Sequence, residues 1–462
     1  MRAMCRILPL ALVALVACSG SPQRHVAPVR PAADVDPDGP HRDAVAAQVK
    51  PFIDSEIAQG IVIGLYDAGK LEIYGFGDGP GHKPPTGRTL FEIGSITKAY
   101  TSLLLADAAQ ARAVELDEPL ADLLPPGITA PTRDDKAITL RQLSTHMSGL
   151  PGAPPSIAPN GSDPYGRYSE DQLYADLVRT PLAATPGTMV EFSNFGSGVL
   201  GFVLGKKLGR GFAAELKARV LDPLGLHDTY LSVPPAAEPR RASGTNDDLK
   251  PAGAWTWGAL AGAGALISTA RDQLALIDAE LDAAAGAKGP LRDAMRLTQE
   301  RQLDHAGENE GLGWQIDVHG RFWHNGGTGG FRSFVGFDPQ TKRGVVILSS
   351  TSVTLVDHLN EAMYGVLDNN PPKPPVFASL DQLARLAGTY ALSNARFSVT
   401  LVGKRLYLDG PGAPRYRLLP FSDHEFWIEP IQTVVVFQQE GGKVARVVFV
   451  NGDKQMAAPR VD

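Results

Sequence analysis

The first periodic pattern of apolar residues in the chain has the spacing of a helix. Apolar residues recur every three or four positions from Asp43 to Gln59, and Gly60 follows. This spacing predicts an amphipathic helix that ends at the glycine. Two runs rich in β-branched and aromatic residues come next, at Ile61–Tyr66 and Leu71–Phe76, around a short turn. They predict a β-hairpin.

The same strand pattern returns much further along the chain. Arg321–His324, Phe331–Phe337 and Val345–Ser350 are predicted strands, and the last two flank a turn that begins at Asp338. We therefore expect the two ends of this region to share one antiparallel sheet. The chain between them has the pattern of helices and loops, which predicts a helical lobe. Its helices are expected from Ser95 to about Ala111 and near 170–179, 196–208, 211–220 and 270–284.

A proline-rich stretch divides the folded part in two. Residues 368–377 hold four prolines and are predicted to be a linker. Residues 41–367 before it form the main predicted domain, with an α/β (α+β) fold in which an antiparallel sheet is flanked by helices and joined to an all-helical lobe. Residues 378–462 are predicted to be a small C-terminal antiparallel β domain. Its strands are expected at 397–402, 405–409, 415–419, 425–429, 432–438 and 443–450.

The N-terminal pattern is that of a targeting segment. A basic start precedes an apolar run too short to span a bilayer, so residues 1–17 are predicted to be a signal peptide. Cys18 ends the sequence Leu-Val-Ala-Cys, which resembles the lipobox of bacterial lipoproteins, and lipidation there would anchor the chain to a membrane. An ordinary signal peptide that happens to contain a cysteine is the alternative. Residues 18–40, rich in Pro, Ala, Ser and Asp, are predicted to be a flexible tether.

These features predict a lipoprotein of the cell envelope that faces the periplasm. The residue after the lipidated cysteine is Ser19 rather than an aspartate. If the host has two membranes, this favours the outer membrane.

Composition and charge exclude several classes of function. The chain of 462 residues has 44 Lys+Arg against 50 Asp+Glu, a net charge of −6, and lacks the basic run that a nucleic-acid partner requires. Its 2 cysteines, Cys5 and Cys18, both lie in the N-terminal segment, so the folded part has no thiol nucleophile, Cys-based metal site or disulfide. Metalloprotease, phosphate-loop and G-x-S-x-G motifs are also missing. We expect no metal, no cofactor and a monomeric protein.

A serine and a lysine three residues apart are the first candidates for chemistry. Ser95 stands at the start of the long apolar helix, and Lys98 lies one turn on, over the same face. A serine hydroxyl is a poor nucleophile until a base takes its proton, and a lysine in an apolar site can lose its charge and become that base. The helix N-terminus also favours a developing oxyanion. A serine N-cap followed by a lysine is nevertheless common by chance, so the pair alone predicts little.

Two further motifs follow in order along the chain. They are Phe192–Gly196, which reads Phe-Ser-Asn-Phe-Gly, and His324–Phe331, which reads His-Asn-Gly-Gly-Thr-Gly-Gly-Phe. Together with Ser95–Lys98 they resemble the serine β-lactamase and penicillin-binding-protein superfamily, in particular its class C-like branch of β-lactamases, D,D-peptidases and related esterases. The resemblance covers about residues 45–365 and implies a β-lactamase/transpeptidase-like fold. Stretches 138–151, 223–229 and 261–270 look like the same branch.

The resemblance implies a role for each motif residue. Ser95 would be the acylated nucleophile and Lys98 its proton partner, and the backbone N–H groups of Ser95 and Gly327 would form the oxyanion hole. Three more residues would meet the substrate: Asn194 through its amide, His324 at a position that is Lys in many relatives, and Gly326 by leaving room for the substrate backbone.

One position departs from the family motif, which is Tyr-x-Asn. Phe192 stands where the motif has a tyrosine that takes part in proton transfer, and a phenyl ring can neither give nor accept a proton. Lys98 alone, a water molecule, Tyr165 or Tyr168 would have to carry the proton instead, or catalysis is weak or lost.

The sequence therefore predicts a serine hydrolase that forms an acyl-enzyme on a D-alanyl peptide, a β-lactam or a small ester, and it does not choose among these substrates. The alternative is a weakly active or inactive protein that binds cell-wall peptides or a protein partner, and Phe192 is its support. His146 is expected to have a structural hydrogen-bonding role away from the nucleophile. Leu386–Tyr390 resembles the opening of small lipocalin-like domains, and a purely packing domain is the alternative there.

Overall fold

The computed structural model describes residues 34–157, 162–305, 308–392 and 395–462. The predicted signal peptide, Cys18 and most of the predicted tether lie outside these ranges. Within them, no helix is both long and apolar enough to cross a bilayer.

The helices of the described residues lie mainly between the two ends of the first domain. The predicted helices at 170–179 and 270–284 are confirmed, whereas the helix at 290–299 is not among those that the sequence pattern predicted. The bounds are α1 (Arg42–Asp54), α2 (Thr97–Gln110), α3 (Leu140–Ser144), α4 (Glu170–Arg179), α5 (Asn194–Leu208), α6 (Phe212–Leu216), α7 (Asp222–Leu224), α8 (Ala261–Gly264), α9 (Ala270–Ala284), α10 (Pro290–Gln299), α11 (Leu359–Leu367) and α12 (Leu380–Leu386).

Helix α1 is shorter than its apolar pattern predicts. It ends at Asp54 instead of Gln59, and Glu56 just beyond it takes a positive φ of 54°. That backbone conformation turns the chain away from the helix axis. Ile57 remains fully buried. It keeps the helical spacing, but it belongs to the turn after α1, which packs on the core.

The strands form two large antiparallel sheets and two small two-stranded ones. Their bounds are β1 (Gly60–Asp67), β2 (Lys70–Gly77), β3 (Phe91–Glu92), β4 (Thr132–Arg133), β5 (Lys136–Ala137), β6 (Ile267–Ser268), β7 (Leu303–His305), β8 (Glu308–Glu310), β9 (Gln315–Ile316), β10 (Phe322–Gly327), β11 (Arg332–Asp338), β12 (Arg343–Ser349), β13 (Gly388–Leu392), β14 (Ala395–Val402), β15 (Arg405–Asp409), β16 (Tyr416–Pro420), β17 (Glu425–Ile428), β18 (Thr433–Glu440), β19 (Lys443–Asn451) and β20 (Lys454–Pro459). In the two small sheets, β3 pairs with β6 and β4 with β5.

The first large sheet joins the two ends of the main domain, as predicted. Its strand order is β2-β1-β12-β11-β10-β9-β8-β7, and Ile61 of β1 pairs with Ser349 of β12. Alternate residues of β1 enter two different cores: Val62 packs with α9, whereas Ile61 and Ile63 pack with α1 and α11. The sheet is therefore covered by helices on both faces, and the predicted fold class is confirmed.

Helix α2 is the centre of the helical lobe. All its residues from Thr97 to Ala108 are buried, and it contacts α5, α8 and α10. A helix that is buried on every side lies within a core. Any charged group in its first turn is consequently removed from water.

The ends of the predicted tether and linker both contact the main domain. Asp36 exchanges backbone and side-chain hydrogen bonds with Ile73 of β2, at 2.8 and 2.7 Å, so ordered contacts begin before the predicted boundary at residue 41. In the linker, the carbonyl of Pro372 accepts a hydrogen bond from Gln48 of α1 at 2.7 Å.

The C-terminal domain is an antiparallel meander that closes on itself. Strands β13 to β20 pair in chain order, and Tyr390 of β13 forms a bridge with Arg460 after β20. The predicted small β domain thus exists, with two strands more than the sequence pattern indicated, β13 and β20. Helix α12 contributes Leu383 and Leu386 to its core.

Candidate active site

The site is built where the start of α2 meets the end of β10. A 3₁₀ turn, Gly94–Ile96, leads into α2 and carries Ser95. A Cβ at position 326 would lie 2.1 Å from the carbonyl oxygen of Ile93 and 2.9 Å from the backbone N of Ser95, and one at Gly94 would lie 2.8 Å from the backbone N of Gly327. Both positions therefore require glycine. Because the two backbone segments touch here, the N–H groups of Ser95 and Gly327 lie on neighbouring stretches of chain.

Lys98 is the most deeply buried of the candidate residues. Its side chain is 2% exposed, and its amine bonds three oxygens: Ser95 Oγ at 2.8 Å, Asn194 Oδ1 at 2.7 Å and the carbonyl of Ala263 at 2.8 Å. No carboxylate pairs with it among the residues that the structure describes. Burial without a counter-charge holds the pKa of the Lys98 amine well below its usual range.

The three partners identify the proton that a neutral amine would take. A neutral amine has two N–H groups and one lone pair. The amide oxygen of Asn194 and the carbonyl of Ala263 can only accept, so they use the two N–H groups. The lone pair is left for the hydroxyl of Ser95, which can donate. The arrangement is that of a base beside its nucleophile.

Asn194 reaches Lys98 because the start of α5 is held in place by a loop. Ser193 caps α5 by accepting the N–H of Gly196 at 2.8 Å and donates its hydroxyl to the carbonyl of Pro151 at 2.7 Å. The backbone N–H of Ser193 donates to Nδ1 of His146 at 3.1 Å. These bonds set where the Asn194 side chain begins.

The ring of Phe192 faces the site. Its centroid lies 4.6 Å from Nζ of Lys98 and 4.9 Å from the centroid of the His146 ring. The side chain is 47% exposed, which is unusual for a phenylalanine. The missing phenol would therefore have stood beside the amine of Lys98.

His146 lies closer to the site than expected. It does make a structural hydrogen bond, with Ser193, but it also packs on Phe192. It is therefore separated from the Lys98 amine by one side chain, that of Phe192. Burial lowers the pKa of this imidazole to about 3, and the amine of Lys98 acts in the same direction. Because Nδ1 accepts a hydrogen bond, the proton of the neutral ring is on Nε2.

His324 is also neutral but has the opposite tautomer. It is 3% exposed, and burial lowers its pKa to about 3. Its Nδ1 lies 2.6 Å from the carbonyl oxygen of Asn325, which can only accept. Nδ1 therefore carries the proton, and Nε2 is an acceptor.

The two tyrosines considered as replacements for the phenol have different surroundings. The hydroxyl of Tyr165 accepts a hydrogen bond from Nδ2 of Asn194 at 3.4 Å, so it borders the site. The hydroxyl of Tyr168 is buried and donates to Asp176 at 2.9 Å. The hydroxyl of Tyr168 therefore has its partner outside the site, whereas that of Tyr165 is connected to the Lys98 amine through the side chain of Asn194.

Sequence reasoning missed the role of the segment before β6. The carbonyl of Ala263 is held on Lys98 by two neighbouring bonds: Thr101 Oγ1 donates to the carbonyl of Gly262 at 2.8 Å, and the N–H of Leu266 donates to Thr97 Oγ1 at 3.1 Å. A backbone acceptor leaves no mark on residue type. The two threonines at positions 97 and 101, one turn apart on a fully buried stretch of helix, were the available signal.

Comparisons with known proteins identify the family of the chain. A family model described as Beta-lactamase matches residues 45–369. A beta-lactamase of Escherichia coli (strain K12) is 28% identical over 350 residues, which cover 67% of this chain and 88% of that protein. The D-alanyl-D-alanine-carboxypeptidase/endopeptidase AmpH of the same organism is 26% identical over 343 residues, 68% of this chain and 86% of that protein.

A solved structure of a mutant class C beta-lactamase has the same fold. It superposes with a TM-score of 0.63 at 23% sequence identity and covers 71% of this chain and 97% of that one. The family model spans the sheet, the helical lobe and all the motif residues, and the C-terminal meander lies beyond it. The chain therefore belongs to the beta-lactamase family.

Proposed function

We propose that the protein is a serine hydrolase that forms an acyl-enzyme at Ser95, with Lys98 as the base. The observation that carries the proposal is the set of three hydrogen bonds around the Lys98 amine, in which only Ser95 can donate. The substrate classes proposed for this site are a D-alanyl peptide, a β-lactam and a small ester. All three share the same acyl-transfer chemistry.

The reaction begins with the proton between Ser95 and Lys98. As Ser95 Oγ attacks the substrate carbonyl, its proton passes to the lone pair of Lys98, and the carbonyl oxygen becomes an oxyanion held by the N–H groups of Ser95 and Gly327. Collapse of this intermediate breaks the bond to the leaving group, which takes the proton from Lys98. A water molecule then repeats the sequence on the acyl-enzyme, with Lys98 again as the base.

Phe192 gives this mechanism one proton carrier fewer than the family motif. General acid–base assistance is worth roughly 10²–10⁴-fold, so the lost phenol slows turnover more than it affects the first nucleophilic step. An inactive binding protein is not favoured, because Ser95 and Lys98 remain bonded to each other and the named relatives are a beta-lactamase and a carboxypeptidase/endopeptidase.

Covalent labelling tests the proposal. A fluorophosphonate probe and a fluorescent penicillin, followed by mass mapping, are expected to place an adduct on Ser95, and Ser95→Ala abolishes it. Ser102→Ala is the matched control, since Ser102 lies on α2, the helix that follows Ser95, but its hydroxyl is hydrogen-bonded to that of Ser144 at 2.7 Å. If no probe forms an adduct with the wild-type chain, the proposal fails. Binding of wall peptides without any turnover would favour the binding protein instead.

We propose an envelope location on the sequence of the N-terminal segment. Lipidation at Cys18 predicts globomycin-sensitive processing and partition into the detergent phase, and Cys18→Ser should lose both. Wild-type protein that stays in the soluble fraction after processing would contradict the lipid anchor.

A further inference from the structure

A groove opens beside the candidate site, and Phe192 belongs to both. The groove has a volume of about 470 Å³ and is lined by Phe192 and His146 on one side and by β9, Val318 and Trp323 on the other. We call it the Phe192 groove. Because the Phe192 ring also lies 4.6 Å from Nζ of Lys98, a group bound in the groove is one side chain away from that amine.

Part of the lining of the Phe192 groove is apolar, and so is the residue most exposed at its mouth. Val190, Ile316 and Trp323 line it together with Phe192, and Val318 is 94% exposed at its rim. The neighbouring Met189 is 44% exposed. Large apolar side chains left in water around a cavity are typical of a ligand-binding surface.

The charged residues of the Phe192 groove are acidic. Glu310 and Asp317 line it, and Asp317 is paired with Arg321 at 2.5 Å. No lysine or arginine is among its described lining residues. A bound carboxylate would therefore lose water without gaining a cation.

The site next to the groove offers no free cation either, in the part of the chain that is described. The Lys98 amine is already shared among three oxygens, with its pKa held well below its usual range, and the Nε2 of His324 presents a lone pair. The charge of Arg332, which pairs with Gly327 across β10 and β11, is offset by Asp357, which accepts from its Nε at 2.8 Å, although Nη1 of Arg332 would lie 2.9 Å from a Cβ at Gly327. D-alanyl peptides and β-lactams carry a carboxylate close to the bond that is broken, so each would meet only neutral or compensated groups here.

We infer that the site takes an uncharged ester or amide whose apolar group lies in the Phe192 groove, and that it disfavours a carboxylate. This inference rests on the proposed function and narrows its substrate class. His146 lines the same groove, and because its Nδ1 accepts from Ser193, its Nε2–H is left to donate to an uncharged acceptor of the substrate.

Matched nitrophenyl esters test the inference with the full chain. The acetate, the hexanoate and the mono-ester of adipic acid share one leaving group, and the last two differ only in a terminal carboxylate. We expect kcat/KM to be about tenfold or more higher for the hexanoate than for the acetate, because added methylenes are buried in the groove. We expect it to be about tenfold or more lower for the adipate ester than for the hexanoate.

Two lysine variants sharpen the test. Val318→Lys adds a cation at the rim of the groove and should raise the adipate-to-hexanoate ratio of kcat/KM several-fold. Val178→Lys is the control, because Val178 is also exposed, at 52%, but lies on α4 and does not line the groove. Its ratio should equal that of the wild type.

The outcomes separate the inference from the function beneath it. If the fluorophosphonate labels Ser95 but the adipate ester reacts as fast as the hexanoate, or Val318→Lys leaves the ratio unchanged, the inference is overturned and the serine hydrolase stands. If nothing labels Ser95 and no ester is hydrolysed, the proposed function fails and the inference with it.

Discussion

Two buried basic residues, one in the candidate active site and one at the junction with the C-terminal domain, show how differently burial acts on lysine and arginine. Lys98 is 2% exposed and Arg417 is 5% exposed. Neither has a carboxylate within ion-pair distance among the described residues. Burial drives the pKa of Lys98 well below its usual range, whereas it lowers the pKa of Arg417 only to about 10. At neutral pH the arginine therefore keeps its charge.

The hydrogen bonds of the two residues fit this difference. Lys98 has three oxygen partners for its single nitrogen. Arg417 donates through Nη2 to the carbonyl of Glu56, just beyond the end of α1, at 2.5 Å, while its Nε and Nη1 have no partner in the described structure. A buried lysine can become a base, and a buried arginine remains a charged tie between domains. Exchanging the two residue types tests this contrast.

Lys98→Arg should have the largest effect. Arginine keeps the positive charge but holds its proton, so no base is left for Ser95. We expect the rate of Ser95 acylation to fall by roughly 10²–10⁴-fold. Rapid-mixing labelling with the fluorophosphonate measures the rate. Lys98→Met controls for the larger volume of arginine: it should be as inactive as Lys98→Arg but should fold better than that variant. Retention of the wild-type rate in Lys98→Arg would mean that Lys98 is not the base.

The pH dependence of acylation should identify the same group. The depressed pKa of Lys98 makes the free base the major form at pH values above that pKa, so the rate should fall about tenfold per pH unit below it. His146 and His324 stay neutral down to about pH 3 and cannot account for that limb. A profile measured on His146→Asn should keep its midpoint. If the midpoint of the pH profile shifts in His146→Asn, the acidic limb belongs to His146.

Arg417→Lys is the reciprocal exchange and should act on stability. A lysine in this position has a lower intrinsic pKa and loses the arm that reaches Glu56, so we expect a loss of about 1–3 kcal/mol in the free energy of unfolding at pH 7. Its pKa would be lower in the folded than in the unfolded state, so the unfolded chain binds more protons and stability should rise with pH. Urea unfolding at pH 7 and pH 9 measures both, and Ser95 labelling should not change. Equal stability at both pH values would contradict a depressed lysine pKa at the junction.

Phe192→Tyr should have the smallest effect, about a tenfold gain in acylation or deacylation. It adds a proton carrier beside Lys98 on a ring that is half exposed, so the hydroxyl has access to water and causes no burial penalty. Single-turnover rates with a nitrophenyl ester measure it. Unchanged rates would show that Lys98 or a water already suffices. Phe195→Tyr serves as the contrast: Phe195 is fully buried, so a hydroxyl there would be removed from water and should destabilise the fold.

Local pattern predicted most of the main domain. The hairpin of β1 and β2 and the helices α4 and α9 were predictable because alternation and helical periodicity report directly which residues face the core. The end of α1 was not, because Ile57 keeps the helical spacing while Glu56 turns the chain. Strands β7 to β9 were missed because each is at most three residues long, too short to show a period.

The sequence by itself determined that Ser95 and Lys98 would meet, because residues three apart at a helix start share a face whatever the rest of the chain does. It also determined that position 192 lacks a hydroxyl. Only the tertiary structure decided that the pKa of Lys98 is depressed, because its desolvation depends on α5 and α8 and its third partner is a backbone carbonyl at Ala263. The tautomer of His146 was likewise decided by a distant backbone atom, the N–H of Ser193, whereas that of His324 was decided by how its ring turns toward the carbonyl of the next residue, Asn325. Residue types can suggest which side chain carries a proton, but the atom on which the proton sits depends on hydrogen bonds that form only when the chain has folded.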